Sequence, residues 1–163
     1  MMLSFRKKIS PDDASTIRKM LEGTHFFDEA IDEIDVAIEL VQDVISNGNN
    51  VENYRIIIAE DNSNVVGYIC FARVPCTVST YEIYWLCVEH SEQGKGIGHL
   101  LINEALSEIT ALNGSKIVLQ TAGRNQYLST QLFYKSCGFI EEARLKNYFV
   151  KGDDCLIFSM DIK

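Results

Sequence analysis

The sequence predicts a single α/β domain built from about seven strands and about four helices. Three observations support this. Residues 80–109 pass from an aromatic and β-branched run, Tyr81 to Val88, through glycines at alternate positions, Gly94, Gly96 and Gly98, into an apolar stripe at Ile97, Leu101, Ala105, Ile109 and Leu112. That is a strand, a turn and an amphipathic helix in succession. Two further apolar segments, Arg55 to Glu60 and Val65 to Phe71, flank the polar turn Asp61-Asn62-Ser63-Asn64 and read as an antiparallel hairpin. Finally, 163 residues, 47% hydrophobic and 23% charged, suit one sizeable core, with no repeat, linker or low-complexity segment.

In chain order, Leu3 to Ile9 alternates enough to be a first strand. Ser10-Pro11-Asp12-Asp13 then starts a helix, with a capping serine and a proline in the first turn, and Gly23 stops it. Ile31, Ile34, Ala37 or Ile38, Val41 and Val44 or Ile45 share one face of a second helix that ends near Asn47-Gly48. Between the two lies Gly23-Thr24-His25-Phe26-Phe27, whose adjacent phenylalanines cannot both face one helix core; one either lines a pocket or packs elsewhere. Pro75 ends the third strand, and Tyr81 to Val88 is the fourth. Asn113-Gly114 closes the long helix, and the continuous apolar run Lys116 to Ala122 predicts a central fifth strand. Gln126 to Phe139 reads as a short helix left at Gly138 into a sixth strand. Gly152-Asp153 connects to a seventh, Asp154 to Ile162.

Composition narrows the function classes. Fifteen Lys+Arg against 23 Asp+Glu give a formal charge of −8, which argues against general nucleic-acid binding and mildly favours cationic small molecules. No apolar run approaches the ~20 residues of a membrane span. The opening Met1-Met2-Leu3-Ser4-Phe5-Arg6-Lys7-Lys8 has basic residues without a long apolar region after them, so no secretory signal is expected and cytoplasm is the expected compartment. Cys70, Cys76, Cys87, Cys137 and Cys155 form no Cys-x-x-Cys pair and do not cluster with the histidines; reduced, mostly buried thiols and no metal are expected.

The glycine-rich turn points to an anion. The first amides of a helix lack intrahelical partners and carry partial positive charge. Glycines let a phosphate approach them without a Cβ in the way, and Lys95 adds a point charge. A turn that needs glycine only for its shape is the other reading. Two phosphate motifs are excluded. A nucleotide P-loop has a hydroxyl residue after its lysine, where this chain has Gly96. The dinucleotide fingerprint needs a longer step than that from Gly96 to Gly98.

The remaining pattern, Gln93-Gly94-Lys95-Gly96-Ile97-Gly98, resembles the pyrophosphate loop of the GNAT superfamily of acyl-CoA N-acyltransferases, Gln/Arg-x-x-Gly-x-Gly/Ala at a helix start. About 40 residues on, Phe133-Tyr134-Lys135-Ser136-Cys137-Gly138-Phe139 resembles the family's second signature, Phe/Leu-Tyr-x-x-x-Gly-Phe. The order of strands and helices also matches, so the resemblance covers essentially the whole chain. It implies a GNAT fold: a central mixed, mostly antiparallel sheet whose fourth and fifth strands splay to admit the pantetheine arm of acetyl-CoA (coenzyme A). The arm would bond to main chain at Leu86, Cys87 and Val88, and the pyrophosphate to the amides of Gln93, Gly94, Lys95, Gly96, Ile97, Gly98 and His99. There is one departure. Many members place an asparagine seven residues before the tyrosine, where this chain has Tyr127; Asn125 is offset by two, which puts its hold on the arm in doubt.

Acyl transfer to an amine needs the amine neutral, although an alkyl ammonium with a pKa of about 10.4 is deprotonated only about one part in a thousand at neutral pH. It also needs a donor for the charge developing on the carbonyl oxygen, for which an N–H near Val88 is the candidate. The departing sulfur benefits from a proton, and the motif position makes Tyr134 the candidate acid. Glu82, the one carboxylate between Tyr81 and Val88, lies eleven residues before Gln93, where a glutamate serves as base in the histone-acetyltransferase branch. The carboxylate takes the amine's proton, binds the ammonium without taking it, or leaves deprotonation to a water chain; His25 and His90 lie in predicted loops and are further options. The acceptor is expected to enter past His25, Phe26, Phe27 and Asp28 and past the loop from Asn147 to Asp154, with Tyr148 and Glu82 as contacts. The resemblance implies an N-acetyltransferase moving an acetyl group from acetyl-CoA to a primary amine of a small molecule by direct attack in a ternary complex. The alternatives are a non-catalytic acyl-CoA sensor and a protein N-terminal or lysine acetyltransferase. No nucleic-acid or membrane partner is expected, and a homodimer is possible.

Overall fold

A computed structural model describes residues 2–25, 31–49 and 54–163. The elements are β1 (Leu3–Arg6), α1 (Pro11–Gly23), α2 (Ile31–Asn47), β2 (Arg55–Asp61), β3 (Asn64–Arg73), β4 (Thr80–Val88), α3 (Ile97–Ala111), β5 (Lys116–Ala122), α4 (Leu128–Ser136), β6 (Ile140–Val150) and β7 (Asp153–Asp161). Short 3₁₀ turns at His90–Glu92 and Asn125–Tyr127 precede α3 and α4. The strands form one sheet in the order β1-β2-β3-β4-β5-β7-β6. Every neighbouring pair is antiparallel except β4–β5, so the sheet is mixed and β5 is central, as expected.

The β2–β3 hairpin turns on Asn62 and Ser63, both at positive φ (49° and 67°). Two such residues match the right-handed twist of the flanking strands. The first strand is shorter than its alternation predicts. It ends at Arg6 because that guanidinium binds Glu60 (2.7 Å) and Asp13 (2.6 Å) and donates to the Lys8 carbonyl (2.6 Å), folding the next residues back towards α1. At the start of α1 the Asp13 carboxylate accepts from the Ser10 amide (2.7 Å) and hydroxyl (3.0 Å). Burial works against the charge of Asp13, but Arg6 and Ser10 outweigh it and hold the carboxyl below its ordinary range. The fourth helix begins two residues later than its sequence pattern suggests, because residues 125–127 form the tighter turn first.

Helices cover both faces. Under α3 and α4, the core gathers Ile57, Phe71, Tyr81, Ile83, Leu101, Ile109, Leu119, Tyr134 and Phe158. Under α1 and α2, it gathers Ile17, Leu21, Val41, Ile56, Ile58, Tyr68, Cys70 and Cys87. One charged group is buried where α3 meets the sheet. Glu108, 6% exposed, pairs with Arg55 of β2 and with Lys7 (2.7 Å). Removing one partner of such a pair strands the other in low dielectric. Glu108→Ala is therefore expected to lower unfolding stability by about 3 kcal/mol, read as an earlier urea midpoint at unchanged slope.

Candidate active site

The sheet forks between β4 and β5. The two strands pair only from Thr80–Lys116 to Ile83–Leu119, after which β4 runs on to Val88 and β5 to Ala122 without pairing each other. Each arm stays bound to its other neighbour, β4 to β3 as far as Val88–Gly67 and β5 to β7 as far as Ala122–Cys155. A bulge accompanies the divergence. Phe71 faces Ile83 and Cys70 faces Trp85, so Tyr84 is an extra residue in β4. Bulges bend a strand and re-aim its side chains. Before this bulge Tyr81 and Ile83 point into the α3/α4 core; after it Trp85 and Cys87 pack on the α1/α2 side and Leu86 and Val88 on the α3/α4 side. The β4 backbone beyond the fork thus presents an edge without a strand partner towards β5.

Beyond Val88 the chain turns into the glycine loop. The Gln93 side chain donates to the Val88 carbonyl (3.1 Å) and ties the loop to the end of β4. Gly94 and Gly96 have φ of 75° and 84°, the left-handed region that a side chain disfavours, and a Cβ at either would meet nothing within 4 Å. Gly96 caps α3 without a side-chain bond, and the first helical bond runs from the Leu100 amide to the Gly96 carbonyl. Among the described residues, the amides from Gly94 to His99 have no hydrogen-bond partner. Gly98 serves a different need: a Cβ there would lie 3.0 Å from the Phe133 ring, so the glycine lets α3 and α4 meet. His99 turns its imidazole to the Ser136 hydroxyl (3.0 Å) and against Phe133, leaving only its amide towards the loop. The Lys95 ammonium is paired with Glu92 (2.9 Å), which shares its charge.

Tyr134 and Glu82 approach the fork from opposite faces. Tyr134 is 8% exposed, packed beside Phe133, Phe139 and Phe158 at ring separations of 5.3, 5.9 and 6.2 Å. Its hydroxyl has no hydrogen-bond partner among the described residues, and burial pushes the phenol well above its ordinary range. Glu82 is half-buried between Tyr81 and Ile83 and points to the other face. There Gln120, one residue past the last β4–β5 pair, donates to its Oε1 (3.2 Å). Gln120 in turn accepts the Cys155 thiol (3.5 Å), so the amide is set by three adjacent strands. Tyr84 stands next to Glu82 and edge-on to Tyr54 (5.3 Å); burial and the Glu82 charge raise its phenol to about 12. Sequence reading missed Gln120, Tyr84 and Tyr54. The one available signal was Gln120 as a polar interruption in an apolar strand.

The other predicted residues fall as follows. Asn125 is exposed in the turn before α4, with no side-chain bond among the described residues. His25 is exposed just past α1 with a left-handed backbone (φ 57°). Phe26 and Phe27 lie outside the described residues. Tyr148 is exposed in β6 against Phe149 (5.0 Å). Asp153 is buried beside Arg124, whose amide donates to it (3.1 Å), while Asp154 accepts from the Asn147 amide (3.0 Å) and pairs with Arg144 (3.4 Å). Asp153 therefore ties the start of β7 to the turn before α4, and Asp154 holds the hairpin between β6 and β7. Among the described residues no cluster of metal-ligating groups occurs.

Such an arrangement can hold an anion on the loop amides, an extended chain along the open β4 edge, and a polar acceptor near Glu82. Residues 52–141 match a family model described as an acetyltransferase (GNAT) domain. A protein described as a GNAT-family acetyltransferase from Desulfovibrio desulfuricans superposes with a TM-score of 0.93 at 32% identity over 99% of both chains. An aminoglycoside 6′-N-acetyltransferase complexed with coenzyme A superposes with a TM-score of 0.79 at 19% identity, covering 100% of this chain and 98% of that one, a likeness of fold. The N-alpha-acetyltransferase 30 of Xenopus laevis is 27% identical over 99 residues, 56% of this chain but only 36% of that protein's length.

Cys87 lies beside the fork, yet burial raises its thiol to about 12, and Cys70 is likewise buried and raised. A protonated, enclosed thiol is a poor nucleophile. At neutral pH a thiol reagent is expected to label exposed Cys76 quickly and to reach Cys70 and Cys87 only on unfolding, as read by mass spectrometry. Fast labelling of Cys87 would contradict its burial.

Proposed function

The chain belongs to the GNAT acetyltransferase family, and from that premise we propose that it moves an acetyl group from acetyl-CoA to a primary amine of a small molecule by direct attack in a ternary complex. The observation that supports this best is the run of unpaired amides from Gly94 to His99 at the mouth of a fork flanked by Tyr134 and Glu82. Unpaired amides at a helix N-terminus suit a diphosphate, and the absence of any clash at Gly94 and Gly96 leaves the approach open. The open β4 edge at Leu86, Cys87 and Val88 suits the pantetheine arm, which would bond to main chain as an added strand. Acetyl-CoA, when bound, supplies the activated carbonyl.

Tyr134 acts as general acid. Its burial keeps the phenol protonated at working pH, and its hydroxyl has no competing acceptor among the described residues. Glu82, on the acceptor side and oriented by Gln120, receives the amine's proton or holds the ammonium until water takes it. Direct attack fits better than an acyl-enzyme, because the nearby Cys87 is held protonated. His25, Phe26, Phe27 and Tyr148 are proposed acceptor contacts, and Asn125 a cofactor contact. The net charge of −8 favours a cationic acceptor. No described helix is long and apolar enough to cross a membrane, and residence in the cytoplasm belongs to the same proposal. The N-alpha-acetyltransferase likeness makes a peptide amine the second acceptor class to try.

The test is release of CoA thiol from acetyl-CoA with a panel of polyamines, amino acids, aminoglycosides and peptides. Tyr134→Phe is expected to lower kcat about 100-fold with little change in KM for acetyl-CoA. Glu82→Gln is expected to lower kcat/KM for the amine by about 100-fold. Turnover unchanged in Tyr134→Phe for every accepted amine removes the acid role, and a protein that ignores CoA at millimolar concentration removes the function.

A further inference from the structure

Under α1 and α2 the core draws on β2, β3 and the end of β4, and among the described residues it takes none from β5 or β7. The ground beside the fork on that side is polar and aromatic. Gln120 is exposed there, and Glu82, Tyr84 and Tyr54 are half-buried. The two tyrosine rings stand edge-on at 5.3 Å, and Tyr84 is the extra residue of the β4 bulge, next to Glu82. Charge gives the row its direction. Tyr84 feels Glu82, whereas Tyr54, on the β2 side, feels both Glu82 and Asp43 of α2. Two phenol rings therefore lie within a field that is negative from both ends.

The donors of this row are already committed. The Cys155 thiol donates to Gln120 Oε1 (3.5 Å), which turns Gln120 Nε2 to Glu82 Oε1 (3.2 Å). The Tyr84 hydroxyl is directed to the same carboxylate. Past the end of β5, the Arg124 guanidinium is held by Asp153 (3.6 Å) and lies over the Tyr127 ring (5.2 Å). An ammonium laid along the row meets carboxylates and the negative faces of the rings. A ligand carboxylate meets like charge, with Gln120 and Tyr84 turned away from it, and such repulsion discriminates between otherwise similar ligands.

We propose that Glu82, Tyr84 and Tyr54 form the acceptor subsite, and that it takes an alkyl amine whose far end is neutral or cationic while rejecting amino acids. The reacting amine sits at Glu82 and its carbon chain lies along the two rings. This rests on the acetyl-transfer reading above and adds the acceptor class.

The test compares pentane-1,5-diamine with 5-aminopentanoate, which differ only at the far end. The full chain, labelled in its tyrosine rings, is titrated with each by NMR, with Tyr54→Phe and Tyr84→Phe assigning the two signals. The diamine is expected to shift both rings saturably, and aminopentanoate to bind at least about tenfold more weakly. In the CoA-release assay, kcat/KM for the diamine is expected to exceed that for aminopentanoate at least about 100-fold. Gln120→Lys, at an exposed position, supplies a cation for the carboxylate and is expected to lower that ratio at least about tenfold. Equal binding of the two ligands overturns the proposal, as does a diamine that leaves both rings unmoved or a ratio that Gln120→Lys leaves unchanged. Ring shifts without CoA release instead leave the subsite standing and remove the acetyl-transfer reading.

Discussion

Everything at this site depends on two strands that pair for four residues and then part. Thr80 to Ile83 match Lys116 to Leu119, and beyond them each strand follows its other neighbour. Backbone groups inside a sheet need partners. The β4 edge past Ile83 is left facing an opening where an extended ligand chain can supply the missing bonds. The parallel pairing is needed for this. It brings the C-terminal ends of β4 and β5 to the same side, so the loops leading into α3 and α4 both open at the fork.

The bulge at Tyr84 gives the fork two different faces. With an extra residue in β4, Tyr84 and Trp85 both turn to the α1/α2 side, beside Tyr54 and Glu82. Tyr134 stays on the α3/α4 side, enclosed by aromatic rings. One face is thus dry and keeps a phenol protonated, while the other is lined by Gln120, Glu82 and tyrosine hydroxyls. Lying on opposite faces, the phenol and the carboxylate do not bond to each other.

Structural and ligand-directed roles are also divided among neighbouring glycines. Gly94 and Gly96 are required by a left-handed backbone and face open space, whereas Gly98 is required by the Phe133 ring. The two signature segments of the family are therefore in direct contact. Gly98 from one packs on Phe133 from the other, and His99 bonds to Ser136. Holding the start of α3 against α4 fixes the loop amides relative to Tyr134.

The sequence by itself determined the elements and their order, the left-handed glycines, the helix start that presents free amides, and the residue types Tyr134 and Glu82. The elements, glycines and helix start follow from local periodicity or from the conformational needs of a few consecutive residues, whereas Tyr134 and Glu82 are singled out by the resemblance of their segments to the family. Tertiary structure decided that strand one stops at Arg6, that Lys95 pairs with Glu92, that Gln120 reaches Glu82, and that Tyr134 and Glu82 lie on opposite faces. Those outcomes depend on the register between distant strands and on a bulge that shifts it by one residue. Because side chains alternate across a strand, a single-residue shift sends each to the other face, and nothing within β4 alone says where that shift falls.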